Sequence, residues 1–465
     1  MVFSSLLFLF VYLPIVLLVY YLAPGRVRMG WLFVVNLVFY AWGEPVYVFL
    51  MLLSIGVNYA AGLLVGRYRD DKRRARWILA GNAIVNIGLL FFFKYSALFV
   101  RTLNALPYLQ LPVPEVALPI GISFYTFQGM SYPIDVYRND AEPQRNFIRF
   151  GTFVALFPQL IAGPIVRYKD LAWQFEADRR SAESFASGIG RFALGLGKKV
   201  LLANNIGLLW DCYASASASS LSFVGAWLGT IAFSLQIYFD FSGYSDMAIG
   251  LGRMLGFEFM ENFRFPYAAS SITEFWRRWH ISLGTWFRDY VYIPLGGNRC
   301  GLQKQLMNIL IVWALTGLWH GASWTFLIWG LYHAFFLLLE KTFLLRLLDK
   351  LPRFVRHLYT LVVVFTGWVV FQQDSLSQTA VFWRAMFGFG RAGLMNSTDL
   401  YRLGAYGLLL LVGAIVSLPW LRNRYERLSS RWKRILCPVG TVLLIVFSTC
   451  YLVDGSYNPF LYFRF

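Results

Sequence analysis

Residues 305–339 read QLMNILIVWALTGLWHGASWTFLIWGLYHAFFLLL and contain no charged side chain. As one α-helix these 35 residues would be about 52 Å long, whereas the hydrocarbon core of a bilayer is about 30 Å thick. The stretch therefore predicts two membrane-embedded helices with a break near Gly321-Ala322-Ser323. Such a break has to be enclosed by protein or line a wet cavity, because lipid cannot hydrogen-bond the freed backbone groups.

The whole chain has the same apolar character. Of its 465 residues, 58% are hydrophobic and only 14% are charged, against about 25% charged residues in an average soluble domain. Other uncharged runs recur at 1–25, 45–66, 77–93, 116–134, 212–239, 404–421 and 435–453, with shorter plausible spans at 29–43, 151–166 and 358–373. The predicted fold class is an all-α polytopic integral membrane protein with about 10–12 membrane-embedded helices.

The basic residues predict the orientation of these helices. The formal net charge is +18, and positive residues in short loops stay on the cytoplasmic side. Loops 24–29 and 67–76 and the clusters within 341–356 and 422–434 are therefore expected inside, and both termini are expected outside. The mixed-charge stretch 167–191 is predicted to be interfacial rather than a span. Such basic loops also attract anionic lipid headgroups or the phosphates of a coenzyme.

His320 lies at the predicted break, between Trp319 and Gly321. An ionisable side chain at membrane depth is a functional hypothesis by default, and a histidine can take up a proton and return it near neutral pH. The alternative is a buried neutral histidine that is satisfied by a backbone carbonyl. His333 is expected to be a satisfied partner of this kind, and His357 is expected to be a surface residue in a basic loop.

The segment 262–304, NFRFPYAASSITEFWRRWHISLGTWFRDYVYIPLGGNRCGLQK, is too polar to span a membrane and too aromatic for a free loop. We interpret it as interfacial helices folded into the protein. Ser271 followed by Glu274 is a capping-box pattern, so a helix is expected to begin there. In that helix Trp276, Trp279 and, more weakly, His280 would share one face, and 294–297 would form a turn.

Two carboxylates, Asp240 and Asp246, stand in an otherwise apolar stretch. They are expected either to pair with arginines of 262–304 or to hold ordered backbone, and a structural ion pair is at least as plausible as a catalytic role. The four histidines and four cysteines do not cluster with metal-ligand spacing, so no metal is expected.

Several motifs together resemble the membrane-bound O-acyltransferase family, more narrowly its bacterial alginate O-acetyltransferase branch. The motifs lie at 118–125 (LPIGISFY), 157–164 (FPQLIAGP), 238–250 (YFDFSGYSDMAIG), 271–297 and 317–324 (GLWHGASW). The resemblance covers most of the chain and is densest over 118–335. It implies one membrane domain, 1–465, with N-terminal spans in 1–115, a catalytic core in 116–340 and C-terminal spans in 341–465. The implied fold is a ring of helices around a thinned centre.

The same resemblance implies that His320 is the catalytic histidine, either as a general base or as an acyl carrier. It implies that His280, where the family often has Asn, is a second signature position with an orienting role. Seven further residues are candidates for donor binding or structural support: Trp276, Arg277, Arg278, Asp240, Asp246, Arg288 and Asp289.

The implied reaction moves an acetyl group from a cytoplasmic thioester, acetyl-coenzyme A, across the bacterial inner membrane to an exported polysaccharide, alginate, through periplasmic acetyl-transfer proteins. Acetyl-coenzyme A would be a substrate, with no permanently bound cofactor. Membrane lipids are expected as partners and nucleic acid is not. Acetylation of cellulose and D-alanylation of teichoic acid remain open as alternatives.

Two other classes of protein are consistent with parts of the pattern. A transporter would explain broken helices and intramembrane ionisable residues, although the sequence shows no convincing internal repeat. A non-catalytic scaffold for polysaccharide secretion would explain the many spans, but it would not need His320 at a membrane break.

Overall fold

The computed structural model describes residues 1–176 and 179–455, and within them the regular structure is entirely helical. Contacts divide the chain into two compact units. The first unit comprises residues 1–192 and 247–260, and the second comprises 193–246 and the chain from Glu261 onward. Helices α10 and α12, defined below, have residues in both units.

The first unit contains most of the N-terminal helices. In chain order these are α1 (Leu13–Leu22), α2 (Gly25–Ala41), α3 (Tyr47–Arg67), α4 (Lys72–Leu90), α5 (Ser96–Leu103), α6 (Ile122–Arg138), α7 (Phe147–Ala155), α8 (Phe157–Leu160), α9 (Tyr168–Leu171) and the first part of α10 (Ala182–Gly197). Helix α6 packs against α3 and α4, and α7 packs against α2 and α3. Nearly all side chains of α6 are buried, so it forms the centre of this unit.

The second unit contains the helices that follow. They are α11 (Asn204–Ala214), α12 (Phe223–Met254), α13 (Ile272–Arg278), α14 (Ile281–Phe287), α15 (Leu302–His320), α16 (Trp324–Leu339), α17 (Leu345–Leu348), α18 (Arg353–Gln372), α19 (Leu376–Met386), α20 (Ser397–Val416), α21 (Trp420–Glu426) and α22 (Ser430–Asp454). Helix α16 packs against α15 and α18, and α13 packs against both α16 and α18.

Seven continuous helices of the described residues are long and apolar enough to cross a membrane. Some of them consist of two α-helices joined by a π-helical turn. The seven helices are Tyr47–Arg67, Lys72–Leu103, Ala182–Ala214, Trp324–Leu348, Arg353–Gln372, Ser397–Val416 and Ser430–Asp454. A shorter apolar helix, Phe8–Leu22, precedes them. The prediction of an all-α polytopic membrane protein is confirmed.

Two predictions about the middle of the chain were wrong. The run 151–166 is not a continuous span, because α7 ends at Ala155, the short α8 follows, and 161–167 is irregular. The stretch 167–191 is not wholly interfacial, because from residue 182 it forms the beginning of the long helix Ala182–Ala214. Charge alone misled in this second case: the three arginines and the one glutamate of 179–191 lie before and in the first three turns of a helix that becomes apolar later.

The predicted break in 305–339 is confirmed. Helix α15 ends at His320 and α16 begins at Trp324, where the Ser323 hydroxyl caps the amide of Phe326. The two helices approach so closely that a Cβ added to Gly330 would lie 2.3 Å from the Trp313 carbonyl oxygen. A glycine here therefore allows backbone to pack on backbone, and this contact fixes α16 beside the residue that ends α15.

The start of α13 is also held by residues distant in sequence. Ser271 caps the helix through the Glu274 amide, as the capping-box pattern predicts, whereas the Glu274 carboxylate accepts from Ser270 rather than from Ser271. The buried Glu340 accepts hydrogen bonds from the amides of Ile272 and Thr273, at 2.7 and 2.8 Å. A carboxylate at a helix N-terminus is favourable both for these donors and for the helix dipole.

Candidate active site

His320 is the last residue of α15 and is buried. Its Nδ1 lies 2.7 Å from the backbone carbonyl oxygen of Thr316, one turn earlier in the same helix. The imidazole ring packs edge-on against Trp329 and Phe371, with ring centroids 4.9 and 5.6 Å away. The break after His320 thus leaves the ring held in one orientation between two helices and an aromatic wall.

The Thr316 contact determines the tautomer of His320. A carbonyl oxygen can only accept, so Nδ1 carries the proton in the neutral ring and Nε2 carries the lone pair. A lone pair held in a fixed direction is what a general base or a nucleophile requires. The end of a 19-residue helix also favours positive charge, so the fold supports the imidazolium that proton uptake by His320 would create.

His280 does not share a helical face with Trp276 and Trp279, and that prediction was wrong. Helix α13 already ends at Arg278, and His280 adopts a left-handed backbone conformation with φ of 45° immediately before α14. A left-handed non-glycine residue costs about 1–2 kcal/mol. The conformation turns the chain between two short helices and buries the His280 ring against Phe241, with centroids 4.7 Å apart.

Asn262 organises the surroundings of His280. Its Oδ1 accepts hydrogen bonds from the Ser282 amide at 3.1 Å and the Ser282 hydroxyl at 2.9 Å, and it lies 3.2 Å from His280 Nδ1. Because this oxygen can only accept, His280 Nδ1 is the donor and Nε2 carries the lone pair. Burial, together with the nearby His320, holds the pKa of His280 well below its ordinary value, so His280 remains neutral near pH 7.

Both histidines line one cavity of about 190 Å³. The remaining lining residues come from α13 and the turn after it, from α14 and the π-helical turn after it, and from α15: Trp276, Trp279, Leu283, Gly284, Phe287, Arg288, Tyr292, Ile309, Val312, Trp313 and Thr316. The Arg288 side chain is 60% exposed, whereas the two histidines are buried. The cavity is therefore lined both by an accessible cation and by aromatic rings and two buried imidazoles.

Trp276 joins this cavity to His333. The Trp276 indole N–H donates to His333 Nδ1 over 3.4 Å, and the two ring centroids are 4.9 Å apart. His333 is completely buried, and its Nε2 has no hydrogen-bond partner among the described residues, so only one of its two ring nitrogens is satisfied as the sequence predicted. His357, by contrast, was wrongly assigned to a surface loop: it lies in α18, is half-buried, and has its Nδ1 3.0 Å from the Ala269 carbonyl oxygen.

The sequence suggested that Asp240 and Asp246 pair with arginines of 262–304. That suggestion was wrong. They lie on α12 and pair with two consecutive lysines: Lys199 Nζ is 2.7 Å from Asp240, and Lys198 Nζ is 2.6 Å from Asp246. The lysines belong to a π-helical turn that continues α10. These aspartates are therefore structural partners within the second unit, and neither lines the cavity.

Of the other candidate residues, some line the cavity and some do not. Arg288 lines the cavity, and its Nε donates to Asp289 at 2.8 Å. Arg278 donates to Glu274 at 2.6 Å, within α13. Arg277 is exposed and lies outside the cavity lining. The structure thus brings together His320, His280, Trp276 and Arg288 of the nine predicted residues.

Sequence reasoning missed the residues that orient the histidines. Thr316 could have been found, because it lies four residues before His320 on one helix, where a histidine can reach back to a carbonyl. Asn262 gave no such signal, because it contacts His280 only through the turn from 262 to 280. Trp313, which packs on Trp276 with ring centroids 4.6 Å apart, looked like any apolar residue of a span.

The sequence model of the membrane-bound O-acyltransferase family, MBOAT, matches residues 139–383. This match covers more than half of the chain and includes both histidines. The chain belongs to the membrane-bound O-acyltransferase family. It is accordingly an O-acyltransferase and a multi-pass membrane protein.

Relatives of this MBOAT protein agree with that assignment. It is 43% identical to a Pseudomonas putida protein named "Probable alginate O-acetylase AlgI", over 100% of both chains. It is 30% identical to the "Peptidoglycan O-acetyltransferase" of Helicobacter pylori, over 100% of this chain and 98% of that one. A "Teichoic acid D-alanyltransferase" of Bacillus subtilis is 28% identical over 58% of this chain and 70% of its own.

Proposed function

We propose that this protein transfers acetyl groups from a cytoplasmic thioester, acetyl-coenzyme A, across the bacterial inner membrane for the O-acetylation of an exported polysaccharide, alginate. The observation that carries the proposal is the single cavity lined by His320 and His280, in a chain of the O-acyltransferase family. The full-length relative at 43% identity, whose name specifies alginate, supports the choice of acceptor.

His320 is the proposed catalytic residue. As a general base, its Nε2 takes the proton of the attacking hydroxyl while the hydroxyl oxygen bonds to the thioester carbonyl carbon. The carbon–sulfur bond then breaks, and the imidazolium returns the proton to the departing thiolate. Throughout, the Thr316 carbonyl holds Nδ1–H, so the ring neither rotates nor changes tautomer.

The acyl-carrier alternative uses the same nitrogen. His320 Nε2 would attack the thioester carbon and expel the thiolate, leaving the acetyl group on the ring as an acyl-imidazolium. A hydroxyl then accepts the acetyl group, the carbon–nitrogen bond breaks, and the hydroxyl proton goes to the thiolate. In both routes His280 is a positioning residue: neutral and fixed by Asn262, it offers Nε2 as an acceptor for a hydroxyl in the cavity. Rapid mixing with labelled acetyl-coenzyme A and acid quenching would separate the routes, since only the second leaves label on the protein.

The exposed arginine of the cavity suggests how the donor enters. Arg288 lines the cavity and its side chain is 60% exposed, and such a guanidinium can attract a phosphate-bearing thioester before its acyl end reaches the histidines. Trp276 lines the same cavity. We assign both termini to the periplasmic side, which follows from the distribution of basic loops, and expect periplasmic acetyl-transfer proteins to accept the group and pass it to the polymer.

The test is a sided reconstitution in lipid vesicles. Labelled acetyl-coenzyme A is added outside vesicles that contain the purified protein and enclose the periplasmic acetyl-transfer proteins with alginate oligosaccharide. The proposal predicts labelled oligosaccharide inside, dependent on the protein and absent with His320→Ala. Thioester cleavage without label on alginate, but with label on enclosed peptidoglycan fragments, would contradict the acceptor and favour the activity named for the Helicobacter relative.

A further inference from the structure

A second cavity, within the first unit, has a chemistry unlike that of the catalytic one. It has a volume of about 260 Å³ and is lined by four arginines. We call it the arginine cavity and define it by Arg28, Arg149, Arg179 and Arg180. Among the described residues one carboxylate, Glu176, also lines it, so arginines outnumber carboxylates in that lining.

The arginines are fixed in place by their surroundings. The Arg28 and Arg180 guanidinium carbons lie 5.7 and 5.8 Å from the centroid of the Tyr20 ring, one cation–π contact each. The Tyr20 hydroxyl donates to the Leu255 carbonyl at 2.9 Å. Gly256, with φ of +83°, lets its chain lie against the backbone of Arg180, where a Cβ would come within 3.3 Å of the Arg180 amide nitrogen. These contacts preorganise two of the four cations.

The other two arginines differ in how far they are neutralised. Arg179 already pairs with Glu258 at 2.9 Å. Arg149, in the first turn of α7, forms no salt bridge within the described part of the chain. Burial of part of a charged group costs free energy, so the half-buried Arg149, which has no salt bridge of its own with any described residue, would be stabilised by an anion bound in the cavity.

The beginning of α2 adds backbone donors to the same cavity. Gly25, the first residue of this 17-residue helix, lines it, and the preceding Pro24 provides no side-chain cap. Uncapped amides at a helix N-terminus carry partial positive charge and bind phosphate groups. The arginine side chains thus offer paired N–H donors, and the N-terminus of α2 offers the positive end of the helix dipole, to one small anion.

We propose that the arginine cavity binds the phosphate group of a phosphate ester. Arginine forks match phosphate oxygens in bidentate geometry. The volume lies below the roughly 300–1,000 Å³ of pockets for drug-sized ligands, so the cavity takes a phosphate and a short substituent such as glycerol. Two sources share this chemistry: the headgroup of phosphatidylglycerol and a soluble phosphate ester. The proposal is independent of the acyl-transfer activity.

The experiment uses the full-length protein in nanodiscs and has two arms. In the first arm the thermal unfolding midpoint is compared between discs of phosphatidylcholine alone and discs that also contain phosphatidylglycerol. In the second arm glycerol 3-phosphate is titrated into discs of phosphatidylcholine alone. A ligand that binds only the folded state raises the midpoint. A rise in the first arm alone identifies a lipid headgroup, and a rise in the second identifies a soluble ester.

The variants test whether the arginine cavity is responsible. Arg149→Gln and Arg28→Gln should each raise about tenfold the ligand concentration that is needed for a given rise of the unfolding midpoint. A factor of ten corresponds to the loss of one charge-assisted hydrogen bond. Arg145→Gln, an exposed arginine four residues from Arg149, is the matched control and should respond like the wild type. Arg149→Lys keeps the charge and should retain part of the response if Arg149→Gln does not fold. Equal responses in all variants, or no response in either arm, would overturn the proposal.

Discussion

Lys199 Nζ lies 2.7 Å from a carboxylate oxygen of Asp240, and the two side chains are only 2% and 4% exposed. A buried pair of this kind is tolerated because each charge compensates the other, and removing one partner leaves an isolated buried charge. Together with Lys198 and Asp246, it joins the π-helical turn after α10 to the middle of α12.

Replacement of either partner alone should therefore be severely destabilising. Asp240→Leu or Lys199→Met should each lower the free energy of unfolding by about 3–5 kcal/mol, and the double variant should lose much less than the sum. Denaturation in detergent micelles measures this. The pair Arg422 and Glu426, 61% and 56% exposed, is the matched control, with a coupling of about 0.3–0.5 kcal/mol. Additive losses at 199 and 240 would contradict a buried ion pair.

The second prediction concerns His280 as a positioning residue. His280→Asn keeps a polar side chain that tolerates the left-handed conformation, whereas His280→Ala loses the Asn262 contact and keeps the left-handed backbone without a polar side chain. We expect initial rates of thioester cleavage to fall less with Asn than with Ala. His357→Ala, outside the cavity, should leave the rate unchanged. Equal losses for Asn and Ala would show that the polar contact of His280 with Asn262 does not matter.

The depressed pKa of His280 makes stability depend on pH. Below the ordinary histidine pKa of about 6.5, the unfolded chain binds a proton that the buried His280 does not bind. The contribution to the free energy of unfolding therefore falls as pH decreases below 6.5, by up to about 1.4 kcal/mol per pH unit. The measurement is the free energy of unfolding of the wild type and of His280→Asn from pH 7 to 5, compared at each pH. Parallel curves of unfolding free energy against pH for the two proteins would mean that His280 is protonated in the folded protein as it is in the unfolded chain.

The hairpin of α15 and α16 provides a packing prediction. Gly330→Ala places a Cβ 2.3 Å from the Trp313 carbonyl oxygen and 3.1 Å from Gly317 Cα. The helices must separate, so we expect a loss of about 1–3 kcal/mol and lower activity, since His320 ends α15. Gly404→Ala in α20, where a Cβ meets open space, should be neutral or slightly stabilising. Equal stability of the two variants would disprove the close approach.

The sequence predicted features that depend on local spacing. The length of 305–339 required a break near Gly321, and the capping pattern at Ser271 predicted the first residue of α13. Position at that break also made His320 a functional candidate, whereas its catalytic role was implied only by the family resemblance. In each case the deciding interaction is between residues a few positions apart, so one segment contains all the information.

Features that depend on distant contacts were predicted poorly. The partners of Asp240 and Asp246 are lysines some forty residues earlier along the chain, and only the packing of α10 on α12 brings them close. His280 belongs to no helix because Asn262 anchors the turn around it, through the Ile281 and Ser282 amides. The arginine cavity combines residues from 20 to 257, which appear in the sequence only as scattered basic positions.

The central claim is that His320 performs the transfer, and its most direct test is thiol release from labelled acetyl-coenzyme A by the purified protein in lipid vesicles with its acceptor proteins. His320→Ala should lower the rate at least about 100-fold with an unchanged thermal unfolding midpoint, whereas His357→Ala should retain the wild-type rate. Equal turnover of His320→Ala and wild type would contradict the account and move the chemistry to His280.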